Sequence, residues 1–247
     1  MPAYGPLATL FYDADKPRAP DTEVTWYTQR LPRDTGLTLE AMCGSGRLLI
    51  PLVTLGVKCH GVDNSHAMLT SCEARIKAAG LTAPLFRQGI AQMNLPFRYA
   101  AIFIAAGSFQ LITDPATAAA ALQRMRAHLI APGLLLMDMY VPSESAQRLG
   151  APLVEVRTTK LEDGSQIALR SETTVWADAR LSRSENRYAH RRGNERVGEE
   201  RETLTLTWYS PDEITALVKD AGFHDVGIGP PARAVDDAHA YSVTARL

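Results

Sequence analysis

The sequence is poor in cysteine: Cys43, Cys59 and Cys72 are its three, with no CxxC spacing and no clustered histidines beside them. That excludes a disulfide framework and a cysteine-built zinc site, and the three read as reduced, buried thiols. Long apolar runs are missing too. The longest, 48–57 and 133–141, are interrupted by Pro51 and Asp138 and fall short of the roughly 20 residues that a membrane span needs. No basic start followed by an apolar core opens the chain, and Asp13, Asp15 and Lys16 arrive early, so no signal peptide is expected and the default compartment is the cytoplasm. An excess of either charge is absent as well. With a net charge of −1 and a pI near 6.6, the bulk field would not hold a polyanion, which excludes nucleic acid as the expected partner. There is no internal repeat and no low-complexity tract beyond a short alanine run.

What remains is an ordinary globular balance, 46% apolar and 21% charged over 247 residues, enough for one large domain or one domain carrying an insertion. The charges are unevenly spread. Residues 37–142 carry 13 charged side chains in 106 positions, whereas residues 151–209 carry 20 in 59, ten of each sign. The first stretch reads as a buried sheet with covering helices and the second as a solvated antiparallel appendage.

An apolar run over 37–43 ends in Gly44-Ser-Gly46, and a helical pattern follows with Leu48, Leu49, Leu52 and Val53 on one face until Gly56 closes it. Pro51 is expected beyond the first turn of that helix, where it would bend it. A second strand over 57–62 ends at Asp63; Ser65 can cap a helix carrying Met68, Leu69, Cys72 and Ile76 on one face, with Gly80 as its stop. Strands at 84–88, 99–106 and 133–141 and an alanine-rich helix running from the Asp114-Pro115 cap through Leu129 continue the alternation. Strands alternating with helices imply βαβ units and a doubly wound, mostly parallel sheet. After Pro142 the period changes to two, with strands expected at 153–160, 166–176, 181–190 and 199–208. Ser210-Pro211-Asp212-Glu213 is a capping box for a helix ending at Gly222. Two last strands, 226–228 and 241–247, have no helix between them and can pair antiparallel.

The turn at Gly44 and Gly46 lets a ligand approach the backbone at a helix N-terminus. It keeps two of the three glycines of the dinucleotide pattern G-x-G-x-x-G, and Glu40 stands where its charge would be poorly placed beside a pyrophosphate. A ligand with a cationic part is favoured. No GKS or GKT occurs for a P-loop, and Cys43 and Arg47 occupy the outer glycine positions of a nucleophile elbow.

At Leu39-Glu40-Ala-Met-Cys-Gly44-Ser-Gly46-Arg the chain resembles the class I S-adenosylmethionine-dependent methyltransferases of the small-molecule type. The resemblance continues through Gly61-Val-Asp63-Asn-Ser65 with Met68-Leu69, through 102–106 followed by Gly107-Ser-Phe, through 129–136, and into Trp208-Tyr-Ser-Pro-Asp-Glu213 and Ala221-Gly-Phe223. Each motif alone is weakly specific, but the ordered set spans nearly the whole chain. It implies a seven-stranded sheet with an antiparallel last strand and S-adenosylmethionine as cofactor. Glu40 would meet the cofactor's amino group, and Cys43, Gly44 and Gly46 its carboxylate and ribose. Asp63 would accept from both ribose hydroxyls; Asn64 and Met68 would flank the adenine, and Ala105 and Gly107 would contact the methionine end. Two departures stand out. Gly89-Ile90 replaces a usual Gly-Asp, leaving adenine to Ile90, Ala91 and Gln92, and Met42 stands where a glycine is usual.

Methyl transfer from a sulfonium is an in-line displacement, so the protein chiefly aligns the nucleophile and excludes water. Tyr12, Phe109, Gln110 and Tyr140 are the acceptor-pocket candidates, with Tyr4 and Ser108 nearby. Aromatics with a polar tip and one amide suggest a flat, polar, small acceptor. Trp26 and Tyr27 read as helix packing, the histidines as structural or solvated, and the alternating Arg and Glu of 180–201 as a solvated face. No metal site is expected.

The expected organisation is an N-terminal helical cap (1–36), a cofactor-binding core (37–142 and 210–247) and a β-rich lid (143–209). The activity expected is methylation of a nitrogen or oxygen of a small molecule, by a monomer or homodimer without nucleic-acid or membrane partners. Transfer to carbon or to a macromolecule, a cofactor-binding regulatory protein without turnover, and a nicotinamide-dependent reductase are the alternatives.

Overall fold

The computed structural model describes residues 4–32, 36–148, 151–233 and 238–247. In chain order the elements are α1 (Pro6–Asp15), α2 (Asp21–Thr28), β1 (Thr38–Ala41), α3 (Leu49–Thr54), β2 (Cys59–Asp63), α4 (His66–Ala78), β3 (Leu85–Arg87), β4 (Tyr99–Ile104), α5 (Pro115–His128), β5 (Leu129–Pro142) and α6 (Glu144–Gln147). Then come β6 (Leu153–Lys160), β7 (Gln166–Trp176), β8 (Leu181–Arg192), β9 (Glu195–Thr207), α7 (Pro211–Asp220), β10 (His224–Gly229) and β11 (Ala238–Arg246).

Seven strands form one sheet in the order β10-β11-β5-β4-β1-β2-β3. β1 to β5 are parallel neighbours, and β11 is antiparallel to both β5 and β10. This is the doubly wound α/β sheet with a reversed last strand that the resemblance implied. Its central strands are apolar on both faces because both are covered. Leu39, Ile102 and Ile104 join the core under α5 and α7, while Ala101 and Phe103 pack into the opposite one with Leu48, Leu49, Leu52 and Tyr27.

The local signals act where expected. Ser65 Oγ accepts from Met68 N–H at 3.2 Å, Asp114 Oδ2 accepts from Thr117 N–H at 2.8 Å, and the Ser210–Glu213 box is reciprocal at 3.3 and 2.8 Å. Pro51 does not lie beyond the first turn as expected. The helix starts at Leu49, so Pro51 lies in the first turn, where its missing N–H has no intrahelical partner to lose. β5 also begins earlier than the glycine at 133 suggested, because Leu129 already pairs with Tyr99.

The stretch after β5 forms a separate four-stranded antiparallel meander, β6-β7-β8-β9, preceded by the short α6. Its acids are not all solvated. Glu200 of β9 accepts the Leu7 and Ala8 N–H groups at 2.8 and 3.2 Å, and Glu202 accepts from Tyr4 N–H. These are free N–H groups at and before the start of α1, where a carboxylate is favoured by the unsatisfied donors and the helix dipole. Ala8 and Phe11 of α1 pack with Ile167, Leu169 and Tyr188 of the meander. α1 is thereby bound to the meander, and Tyr4 and Tyr12 are set at the C-terminal edge of the parallel sheet.

Candidate active site

Three strand ends converge. β1 delivers Glu40, and the chain then turns through Met42 (φ 59°), Gly44 (φ 54°) and Gly46 (φ 82°). The two glycines are there for different reasons. A Cβ on Gly44 would meet nothing nearer than Met68 Sδ at 3.7 Å, so that backbone faces open space; on Gly46 it would strike Cys72 Sγ at 2.7 Å. Gly46 is thus needed for close packing of the turn on α4 and does not line the cavity. Met42 occupies the left-handed region without being glycine, a conformation that costs an L-residue about 1–2 kcal/mol.

Asp63, at the end of β2, is held by two backbone donors: Gly44 N–H to Oδ2 at 2.9 Å and Ser65 N–H to Oδ1 at 2.8 Å. Burial raises its pKa and these bonds oppose the rise. Glu40 is only 4% exposed, and its Oε2 has no hydrogen-bond partner. Burial pushes its carboxyl well above the usual glutamate range, against the pull of Arg47. Arg47 itself is committed to Glu23 by a two-bond fork, Nη1 to Oε2 at 2.8 Å and Nη2 to Oε1 at 2.6 Å.

Glu40, Cys43, Gly44, Asp63, Asn64, Met68 and Ala105 surround one cavity of about 380 Å³. Ile90, Ala91 and Gln92 line a smaller cleft that shares Met42, Asp63 and Asn64 with it. A second cavity of about 400 Å³, lined by Tyr12, Gly107, Asp138 and Tyr140, shares Tyr4, Tyr12, Arg47, Ala106, Ser108 and Leu204 with the first. Leu204 and Leu206 come from β9, so the meander supplies one wall of the second cavity.

Two candidates do not face these cavities. Phe109 is fully buried in the core. Gln110 is a clamp: its amide N–H groups donate to Tyr140 O at 2.9 Å and Thr207 O at 2.8 Å, and its Oε1 accepts from Tyr140 N–H at 2.9 Å. It fixes β5 against β9 and thereby the Tyr140 backbone. Tyr27 packs beneath the site and donates to Asp138 Oδ2 at 2.6 Å, an oxygen that also accepts from Ala106 N–H at 3.3 Å. Tyr140 lies so close to Gly107 that a Cβ there would stand 2.4 Å from its ring. Lys16, Arg47, Asp138 and Arg233, which the sequence reading did not single out, complete the second cavity. No group of metal-ligating side chains occurs among the described residues, nor is any of their helices long and apolar enough to cross a membrane.

Residues 38–133 match the family model of the methyltransferase domain. No curated protein matches significantly. Among solved structures, a S-adenosylmethionine-dependent methyltransferase from Clostridium acetobutylicum is similar at 17% identity and TM-score 0.75, over 96% of each chain. The sugar N-methyltransferase KedS8 from a Streptoalloteichus species is similar at 21% identity and TM-score 0.74, over 99% of this chain and 94% of that one. The amino pentose methyltransferase CalS10 from Micromonospora echinaspora, solved with S-adenosylmethionine bound, is similar at 20% identity and TM-score 0.65, over 91% and 88%.

Proposed function

We propose that this chain, which carries a methyltransferase domain over residues 38–133, transfers the methyl group of S-adenosylmethionine to a nitrogen or oxygen of a small molecule, an amine nitrogen being the acceptor its site suits best. The observation that carries the reading is the unpartnered Oε2 of buried Glu40, facing the same cavity as Asp63 and the glycine turn. A buried carboxylate oxygen without a partner is costly, and the cofactor's α-ammonium supplies the missing partner.

The other groups fit the same ligand. Each Asp63 oxygen accepts one backbone N–H, and a carboxylate has about four acceptor sites, so capacity remains for two ribose hydroxyls. Asn64 and Met68 would flank the adenine, with Ile90 and Ala91 beyond them. The open backbone at Gly44, with Cys43 and Ala105 in the same cavity, would hold the rest; Gly107, expected beside the methionine end, instead lines the second cavity under the Tyr140 ring. The bound cofactor supplies an electrophilic methyl group on sulfur.

The chain's own task is then alignment and exclusion of water. Tyr12 and Tyr140, with Leu204 and Leu206 of β9, form the cavity wall. Asp138 puts a carboxylate in that wall. Its Oδ1 has one long contact, from Ala232 N–H at 3.4 Å, which leaves it able to accept an amine N–H and orient the nitrogen lone pair. The similar structures named for sugar N-methyl and amino pentose methyl transfer support an amine.

The test is mass spectrometry of reactions with S-adenosylmethionine and a panel of amino sugars, aliphatic amines and phenols. S-adenosylhomocysteine release with an amine one methyl heavier is expected; methylation confined to carbon, RNA or protein acceptors would contradict the proposal.

A further inference from the structure

The outer part of the second cavity carries positive charge that the donor site does not use. Four cations lie in or beside it, and two are already neutralised: Arg47 by the fork to Glu23, and Arg157 by Asp15 at 2.8 Å. Among the described residues the other two are less closely paired. The nearest carboxylate to Arg233 among the described residues is Glu23, at 4.0 Å, and the Arg233 Nε is buried without a hydrogen-bond partner. Lys16 has no ion pair among the described residues; its Nζ lies 5.9 Å from the centre of the Tyr12 ring. Burial lowers the Lys16 pKa, and Arg157, Arg233 and Arg47 lower it further against the single opposing charge of Asp15.

Charge is also sorted along the cavity. Asp138, 7% exposed, lies on the inner wall beside Ala106, whereas Lys16 caps the C-terminal end of α1 and Arg233 follows Pro231 in the stretch between β10 and β11. Two cations facing one concave space repel each other unless an anion enters. A guanidinium suits a planar or tetrahedral oxyanion through two parallel bonds, with the ammonium adding a point charge.

We propose that Lys16 and Arg233 form an anion subsite for a carboxylate or phosphate carried by the methyl acceptor, so that the acceptor is an amine with a separate anionic group. This rests on assigning the second cavity to the acceptor. The amine then points inward to Asp138 and the anion outward, which admits one orientation and brings the nitrogen to the end of the cavity shared with the donor site.

The test is calorimetric titration of inorganic pyrophosphate and of citrate at low ionic strength, with and without saturating S-adenosylhomocysteine, into wild type, Lys16→Gln, Arg233→Gln and the double variant. Wild type is expected to bind at least one anion. Each single variant should weaken that binding by about tenfold, the scale of one hydrogen bond to a charged group, and the double variant should abolish it. Affinity for S-adenosylhomocysteine should stay unchanged. Tighter binding of pyrophosphate assigns a phosphate, and tighter binding of citrate a carboxylate. Equal anion affinity in wild type and the double variant, or no binding to wild type, would overturn the subsite. Failure of the donor assignment is read separately, as a wild type that binds the anions through Lys16 and Arg233 but not S-adenosylhomocysteine.

Discussion

The Asp63 carboxylate at the end of β2 accepts the Gly44 N–H at 2.9 Å, tying the end of β2 to the turn after β1 beside the first cavity. One side chain thus orders the glycine turn and keeps acceptor capacity toward the ligand. Asp63→Ala should weaken S-adenosylhomocysteine binding by about 1.5–3 kcal/mol, the scale of a hydrogen bond to a charged group. Titration calorimetry measures this directly, and an unchanged affinity removes Asp63 from the site.

Glu40 gives a prediction with two signs. Its buried carboxyl keeps its proton to a higher pH than in the unfolded chain. The folded state therefore binds more protons from the ordinary glutamate range up to the raised value, and ligand-free stability falls as pH rises through that window. Glu40→Gln removes this dependence, so the ligand-free variant should melt higher than wild type at neutral pH. The same change should weaken S-adenosylhomocysteine, and wild-type binding should strengthen with pH as Glu40 ionises, releasing a proton. A variant that melts lower yet binds normally would assign Glu40 a purely structural role.

Gln110→Ala should act on stability alone. This amide makes three hydrogen bonds, two with the Tyr140 backbone of β5 and one with the Thr207 backbone of β9, and leaving buried backbone partners unpaired costs about 1–3 kcal/mol each. Urea unfolding should show the loss while affinity for S-adenosylhomocysteine is retained. A variant of wild-type stability with changed ligand affinity would restore Gln110 to the cavity wall.

Glu200→Ala should loosen α1 from the meander. Losing a carboxylate that accepts from two helix N-terminal N–H groups costs about 0.5–2 kcal/mol, and hydrogen exchange should speed up over α1. Unchanged exchange there would show that the apolar contacts of Phe11 with Tyr188 suffice.

That Glu40, Gly44 and Asp63 share one cavity was legible in the sequence because the signals are local: they follow strand ends at short, fixed spacings, and the apolar period places those strands. The second cavity was less so. Phe109 and Gln110 misled because residues 108–111 form a 3-10 turn. With three residues per turn, Ser108 and Leu111 share the cavity face, and the two between them turn inward. Lys16, Arg47, Asp138 and Arg233 come from four separated segments, and no local pattern brings them together before the sheet is built. Glu200 looked like one more solvated acid in an alternating run, since its partners are backbone groups almost 200 positions away.

The assignment of S-adenosylmethionine to the cavity framed by Glu40, Gly44 and Asp63 rests on ligand binding that can be measured outright. Calorimetric titration of the purified protein with S-adenosylhomocysteine and, separately, NADH tests it most directly. Micromolar binding of S-adenosylhomocysteine and none of NADH is expected; binding of NADH without S-adenosylhomocysteine would overturn the assignment.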